Sequence, residues 1–138
     1  YKMIHVVKNP FDCISTSIMR QEKLQRKIFS KEELNEKIDE FFSRAKTINR
    51  IIKKDSDSVK TIRYEELLSN PKTVLSELCS FLGLSIFDEY LDTCSSIIWP
   101  TGRPSQLKST IWNHSLINDV QKQIDQYSFF EGYNFKSE

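Results

Sequence analysis

A cation and a group of hydroxyls follow a short apolar segment near the start of the chain. The apolar residues 3–7 are rich in β-branched side chains and predict a strand, which is followed at once by Lys8 and then by Asn9-Pro10. In an open α/β sheet, ligands bind beyond the carboxyl ends of the strands, where a helix N-terminus offers amides to an anion. Lys8 and the hydroxyls of residues 15–17 would therefore suit a phosphate, although a strand-end lysine by itself is more often a solvated residue.

The segment from Ile4 to Ser17 resembles the donor-binding motif of sulfotransferases, a strand followed by Arg-Asn-Pro-x-Asp and then by a Ser. In that family the Arg and the Ser hold the 3′-phosphate of the donor, 3′-phosphoadenosine 5′-phosphosulfate (PAPS). Lys8 stands at the Arg position of this chain and Thr16 at the Ser position. Both departures keep a cation and a hydroxyl, but Lys lacks the bidentate fork that Arg offers a phosphate. The resemblance therefore implies a PAPS site with reduced affinity.

A second segment is similar to a later signature of the same family. Residues 62–71 contain Arg-Tyr-Glu-Glu-Leu and then Pro, and residues 78–84 carry Phe-Leu-Gly near the end of a predicted helix. In cytosolic members the Tyr of this signature contacts the donor, so the resemblance implies a donor contact for Tyr64. A half-buried core position is the alternative interpretation of this residue.

The last third of the chain extends the resemblance. Residues 103–112 and the later Gly132-Tyr133 are similar to the family's late basic loop, its Trp and its closing Gly-Tyr. That loop folds over the 3′-phosphate in the family, so the resemblance implies that Arg103 or Lys108 supplies a second cation. The likeness thus covers nearly the whole chain.

The parts that complete catalysis in the family are expected upstream of this sequence. The family's 5′-phosphosulfate loop and its catalytic His or Glu precede the first motif, and the three glycines here are too far apart to form a phosphate-cradling loop. His5 lies inside the predicted strand and is interpreted as a packed or sheet-edge residue rather than as that base. We expect residues 1–138 to be the C-terminal part of one sulfotransferase domain, without its phosphosulfate-binding part and with unknown catalytic residues.

Composition limits the partners of the protein. The 138 residues suffice for one domain, and 20 Lys+Arg against 19 Asp+Glu leave a net charge of +1, which gives no electrostatic case for binding nucleic acid. Three separated cysteines and two histidines suggest neither a disulfide framework nor a metal site. With no apolar run of membrane-spanning length and no signal peptide, we expect a cytoplasmic protein with buried thiols. The resemblance adds PAPS as co-substrate and a small-molecule acceptor.

Hydrophobic periodicity predicts the order strand, helix, long helix, strand, helix, helix, loop, helix. Asp12 is expected to cap the first helix, and Ser30 and Glu33 to form a capping box at the start of the long one. The remaining predictions are a strand at residues 59–64, a helix starting at Asn70-Pro71 and ending before Gly83, and helices near residues 87–97 and 116–127. Trp99, Trp112 and the pair Phe129-Phe130 are expected in the core.

These elements favour an α/β, helix-rich fold with parallel strands flanked by helices. Because residues 3–7 are apolar at nearly every position, the first strand is expected to be covered on both faces. The resemblance implies a partial version of the P-loop-like, three-layer sulfotransferase fold.

Two other functional hypotheses remain open from the sequence. The chain could be a non-catalytic fragment or helical interaction module that keeps the half-fold, whereas a nucleotide kinase is disfavoured because no Gly-x-x-x-x-Gly-Lys loop occurs. A cluster of basic residues either flanks a substrate entrance or is a solvated face. This basic cluster consists of Arg20, Lys23, Arg26, Lys27 and Lys31.

Overall fold

The computed structural model describes residues 1–25, 27–98 and 111–135, which divide into two compact units. The sheet unit consists of Tyr1–Lys8 and Lys54–Pro104, and the helical unit of Asn9–Lys53 and Ser105–Glu138. In chain order the elements are β1 (Met3–Val7), α1 (Pro10–Gln25), α2 (Lys31–Lys54), β2 (Val59–Arg63), α3 (Tyr64–Ser69), α4 (Pro71–Leu82), α5 (Asp88–Ser96) and α6 (His114–Ile124), with short 3-10 turns at Ser56–Ser58 and Ser128–Phe130.

The two strands pair in parallel, with Met3 opposite Val59 and Val7 opposite Arg63. Together with the helices this confirms the predicted α/β, helix-rich fold class. The strand is not covered on both faces, however: Val7 is buried, whereas Ile4 and Val6 are 41% and 53% exposed. Side chains alternate between the faces of a strand, so in the described part of the chain only one face of β1 is covered.

Asn9, and not Asp12, caps α1. The helix begins at Pro10, and the Asn9 Oδ1 accepts a hydrogen bond from the Phe11 amide at 3.1 Å. Asp12 lies within the first turn. The prediction was wrong because Pro at the first helical position needs no partner for an amide hydrogen, so the residue before it becomes the cap.

The capping box of α2 is confirmed. The Glu33 amide donates to the Ser30 Oγ at 3.2 Å, and the Ser30 amide donates to the Glu33 Oε2 at 2.9 Å. Four side chains at three- and four-residue spacing form the buried stripe of this helix. They are Leu34, Ile38, Phe42 and Ala45.

The second strand ends one residue earlier than predicted. Tyr64 begins α3, a six-residue helix that the sequence analysis missed. The next helix, α4, begins at Pro71 and ends at Leu82, as predicted, and Gly83 follows it with a φ of 75°. There the Leu84 amide donates to the Cys79 carbonyl at 2.9 Å, as in a Schellman cap. The predicted helices near residues 87–97 and 116–127 correspond to α5 and α6.

The core of the helical unit contains the aromatic residues that the sequence placed there. Trp112 and Phe130 are buried, and Trp112 packs edge-on against Phe11 with ring centroids 5.0 Å apart. Phe129 is half-buried and contacts Phe130, whereas Trp99 lies outside the described residues. The core thus fixes the start of α1 against the segment before α6.

Candidate functional site

The parallel register brings Lys8 and Tyr64 to the same edge of the sheet. Val7 is the last residue of β1 and pairs with Arg63, the last residue of β2, so the next residue of each strand emerges at the carboxyl edge. The Lys8 Nζ lies 5.2 Å from the centroid of the Tyr64 ring, within the range of a cation–π contact. Two residues 56 positions apart in the sequence therefore meet where ligands of α/β sheets bind.

Lys8 forms no ion pair with a carboxylate in the part of the chain that the structure describes. Its side chain is half-buried. Its ammonium contacts the face of the Tyr64 ring. This arrangement suits an anion such as a phosphate.

Thr16 lies on the exposed face of α1, in the helical unit. Its neighbour Ser15 is fully buried, and its Oγ accepts a hydrogen bond from the Trp112 Nε1 at 2.8 Å. Ser15 is thus not a surface hydroxyl open to a ligand but a structural residue. Of the two hydroxyls, only that of Thr16 is exposed to solvent.

Asn9 is a buried structural residue whose role was not predicted from the sequence. Besides capping α1, its Nδ2 donates to the Asn134 carbonyl at 2.9 Å, so one buried side chain ties the start of the helix to the C-terminal segment. The signal was present, because Asn followed by Pro marks a helix start. Asn70-Pro71 is the same pair of residues and also precedes a helix. There, however, the Asn70 side chain makes no capping bond and donates instead to the Ser69 Oγ at 3.2 Å.

The two further cations of the predicted site, Arg103 and Lys108, lie outside the described residues. The closing Gly-Tyr pair is described: Gly132 has a φ of 82°, and Tyr133 is buried. The Gln121 Nε2 donates to the Tyr133 carbonyl at 3.0 Å, which fixes this segment to α6.

His5 lies in the middle of β1 and is half-buried. Its Nδ1 is 3.2 Å from the Thr61 Oγ1 on the neighbouring strand, and burial lowers the pKa of the imidazole below its usual value. The ring therefore belongs to the sheet, three residues before the strand-end lysine.

The remaining reactive side chains do not form a second constellation. Within the described ranges no three His, Cys, Asp or Glu residues are grouped to hold a metal ion. Cys79 is buried as expected, whereas Cys13 and Cys94 are only half-buried, and none of the three forms a disulfide. No helix in the described part of the chain is long and apolar enough to span a membrane.

The described members of the basic cluster lie on exposed positions. Lys27 forms an ion pair with Glu33, while Arg20, Lys23 and Lys31 are solvated. The cluster therefore fits the interpretation of a solvated face at these positions.

Comparison with known protein families gives one match. A search of curated proteins and a search of solved structures returned nothing similar. The family matched is the sulfotransferase family, over residues 1–89. That range runs from β1 to the start of α5 and includes Lys8, Thr16 and Tyr64. The chain belongs to the sulfotransferase family.

Proposed function

We propose that the protein serves in a sulfotransferase that moves a sulfo group from PAPS to a hydroxyl or amine of a small-molecule acceptor. In this proposal the chain supplies the half of the site that holds the 3′-phosphate of the donor. Three cysteines without a disulfide fit a reducing compartment, so the proposed location is the cytoplasm.

The observation that carries the proposal is the meeting of Lys8 and Tyr64 at the carboxyl edge of the sheet. One side chain offers an ammonium without a carboxylate partner in the described part of the chain, and the other offers an aromatic face and a hydroxyl. An ammonium can bind a phosphate through a charge-assisted hydrogen bond, and a Tyr ring or hydroxyl can contact the nucleotide beside it. Thr16 adds an exposed hydroxyl on α1, and Arg103 or Lys108 a further cation by family resemblance.

The chemistry asks little of the protein beyond positioning and charge. By analogy with in-line phosphoryl transfer, the donor brings the activated group, and the protein orients it and stabilises the charge that develops on the leaving nucleotide. The charge develops on the 5′-phosphate, so the cations and hydroxyls that this chain offers to the 3′-phosphate serve to position the donor. The catalytic base is not assigned to any residue of this chain.

Calorimetric titration with 3′,5′-adenosine diphosphate tests the proposal. Replacing Lys8 by Ala should weaken binding by about tenfold to a hundredfold, because a charge-assisted hydrogen bond contributes about 1.5–3 kcal/mol. Thr16→Ala should weaken it by about threefold to tenfold, the loss of one neutral hydrogen bond. Lys8→Arg should bind the nucleotide as tightly as the wild type or more tightly, because the guanidinium offers a phosphate two parallel hydrogen bonds.

Two substitutions on α2 serve as controls for that titration. Lys53→Ala removes an exposed cation and Ser43→Ala an exposed hydroxyl, and both should leave affinity unchanged. Equal binding by the wild type, Lys8→Ala and Thr16→Ala would show that these residues do not hold the nucleotide, and the proposal would then be wrong.

A further inference from the structure

Residues 82–90 of the sheet unit form an apolar segment that is exposed along its whole length. The segment runs from the end of α4 into the first turn of α5, and five of its nine side chains are large and apolar. They are Leu82, Leu84, Ile86, Phe87 and Tyr90. Single exposed apolar residues are ordinary on a protein surface, whereas a contiguous group is typical of a contact with another molecule. We call this segment the α4–α5 surface.

The charge of the α4–α5 surface is negative. Asp88 and Glu89 lie in the first turn of α5, and the segment contains no Lys or Arg. Asp92 forms an ion pair with Lys72 and raises its pKa, and Asp88 adds to this effect, so the charge of Asp88 is partly compensated. Glu89 has no ion-pair partner among the described residues. A partner of this surface therefore needs cations next to apolar side chains.

The chain itself carries a surface of that kind, in the helical unit at the end of α1. Lys23 and Leu24 follow Arg20 by three and four residues, so the three side chains share one face of the helix. Leu24 is 74% exposed, and Ile28, just after the helix, is 88% exposed. Neither Arg20 nor Lys23 pairs with a carboxylate within the described ranges. We call these four residues the α1 surface.

The α1 surface has an excess of positive charge. Glu22 is the one carboxylate in the sequence from residue 20 to residue 28, and it lies about 200° around the helix from Arg20. Its Oε1 accepts a hydrogen bond from the Phe29 amide at 3.2 Å. Two exposed apolar surfaces of opposite charge therefore occur on one chain, the basic one in the helical unit and the acidic one in the sheet unit.

We infer that the α1 surface of one copy of this chain binds the α4–α5 surface of a second copy. The apolar side chains of the two surfaces, among them Leu24 and Phe87, pack against each other and leave water. The cations of the α1 surface lie beside the carboxylates of the other surface. Because the two surfaces differ, the contact is heterologous and joins the copies head to tail. The inference uses none of the proposed donor contacts and does not depend on the proposed function.

Sedimentation velocity at increasing protein concentration tests the inference. The wild type should self-associate, and a rise in salt from about 0.05 M to about 0.5 M should weaken the association, because salt screens exposed charges. Asp88→Lys/Glu89→Lys and Arg20→Glu/Lys23→Glu should each weaken it by at least about tenfold, since each variant places like charges across the contact.

Matched charge reversals at exposed positions of α2 are the controls for those two variants. Glu36→Lys/Asp39→Lys and Lys53→Glu/Lys54→Glu change the net charge of the protein by the same amounts and should leave self-association unchanged. Leu24→Ser and Phe87→Ser remove exposed apolar side chains from the two surfaces and should each weaken the association.

A mixture of the two surface-reversed variants gives the sharpest result. The reversed α1 surface of one variant then meets the reversed α4–α5 surface of the other, so the mixture should associate at least about tenfold more tightly than either variant alone. The inference is overturned if the wild type stays monomeric up to about 200 μM, if the control reversals weaken association equally, or if the mixture associates no better than its components. A monomeric wild type that binds 3′,5′-adenosine diphosphate would contradict this inference and leave the proposed function intact.

Discussion

At the scale of single residues, the buried pair of Ser15 and Trp112 joins parts of the sequence 97 positions apart. The pair lies against Phe11 at the start of α1, directly after the proposed phosphate contact. Ser15→Ala leaves the Trp112 N–H buried without its partner and should lower the free energy of unfolding by about 1–3 kcal/mol, measured by urea denaturation. A double-mutant cycle with Trp112→Phe gives the control. The double variant should lose less free energy of unfolding than the sum of the losses in the two single variants, because no buried donor is then left without a partner. Strict additivity would contradict a coupled hydrogen bond.

A second residue-scale prediction concerns the pH dependence of stability through His5. Burial lowers the pKa of this imidazole in the folded protein below its usual value of 6.5. At a pH between the folded and the unfolded pKa, the His5 imidazole is protonated in the unfolded chain but neutral in the folded protein. The free energy of unfolding should therefore be highest above pH 6.5 and fall as the pH decreases through this value. Urea denaturation near neutral and at mildly acidic pH should show a smaller loss for His5→Gln than for the wild type. The second histidine, exposed His114, provides the control through His114→Gln, and equal losses in all three proteins would contradict the prediction.

At the scale of secondary structure, the N-terminus of α2 depends on a local hydrogen-bond pair. Ser30 and Glu33 satisfy two amides that would otherwise have no partner in the first turn. Ser30→Ala should therefore lower the free energy of unfolding by about 1 kcal/mol in urea denaturation. Ser43→Ala, at an exposed interior position of the same helix, should be neutral or slightly stabilising, because Ala has the higher helix propensity. The reverse order of the two variants would contradict the capping role.

The elements that the sequence predicted well are those whose signals are local. The capping box at Ser30, the Pro at the start of α4 and the Gly at its end each fix a helix boundary within a few residues, and all three hold in the structure. The carboxylate of Asp12 favours this residue as the cap of α1, but the Pro at position 10 places the start of the helix earlier, and Asn9 caps it. Tyr64 was assigned to β2 because Tyr favours strands, but the acidic residues that follow it start a helix turn.

The candidate site required both local and long-range information. Family resemblance named Lys8 and Tyr64, but periodicity alone could not predict that they meet, because their contact depends on the register of β1 against β2. The burial of Ser15 was missed for the same reason, since its partner Trp112 approaches from a distant segment. The sequence pattern identifies the reactive groups, whereas tertiary packing determines which of them are exposed and which are buried.

At the scale of the whole molecule, charge balance predicts a preference for nucleotides over nucleic acid. A net charge of +1 supplies no broad positive field, whereas nonspecific duplex binding needs several phosphate contacts. Fluorescence anisotropy with a labelled duplex of about 20 base pairs at about 0.15 M salt should show no saturable binding below about 100 μM protein. Under the same conditions 3′,5′-adenosine diphosphate should bind, and Lys8→Ala should weaken its binding.

Micromolar duplex binding would contradict the prediction. If this binding is lost in Arg20→Ala/Lys23→Ala but kept in the control Lys53→Ala/Lys54→Ala, the basic cluster is a nucleic-acid surface. The physical basis is that one strand-end cation suffices for a single ribose phosphate but cannot replace the row of counterions along a duplex.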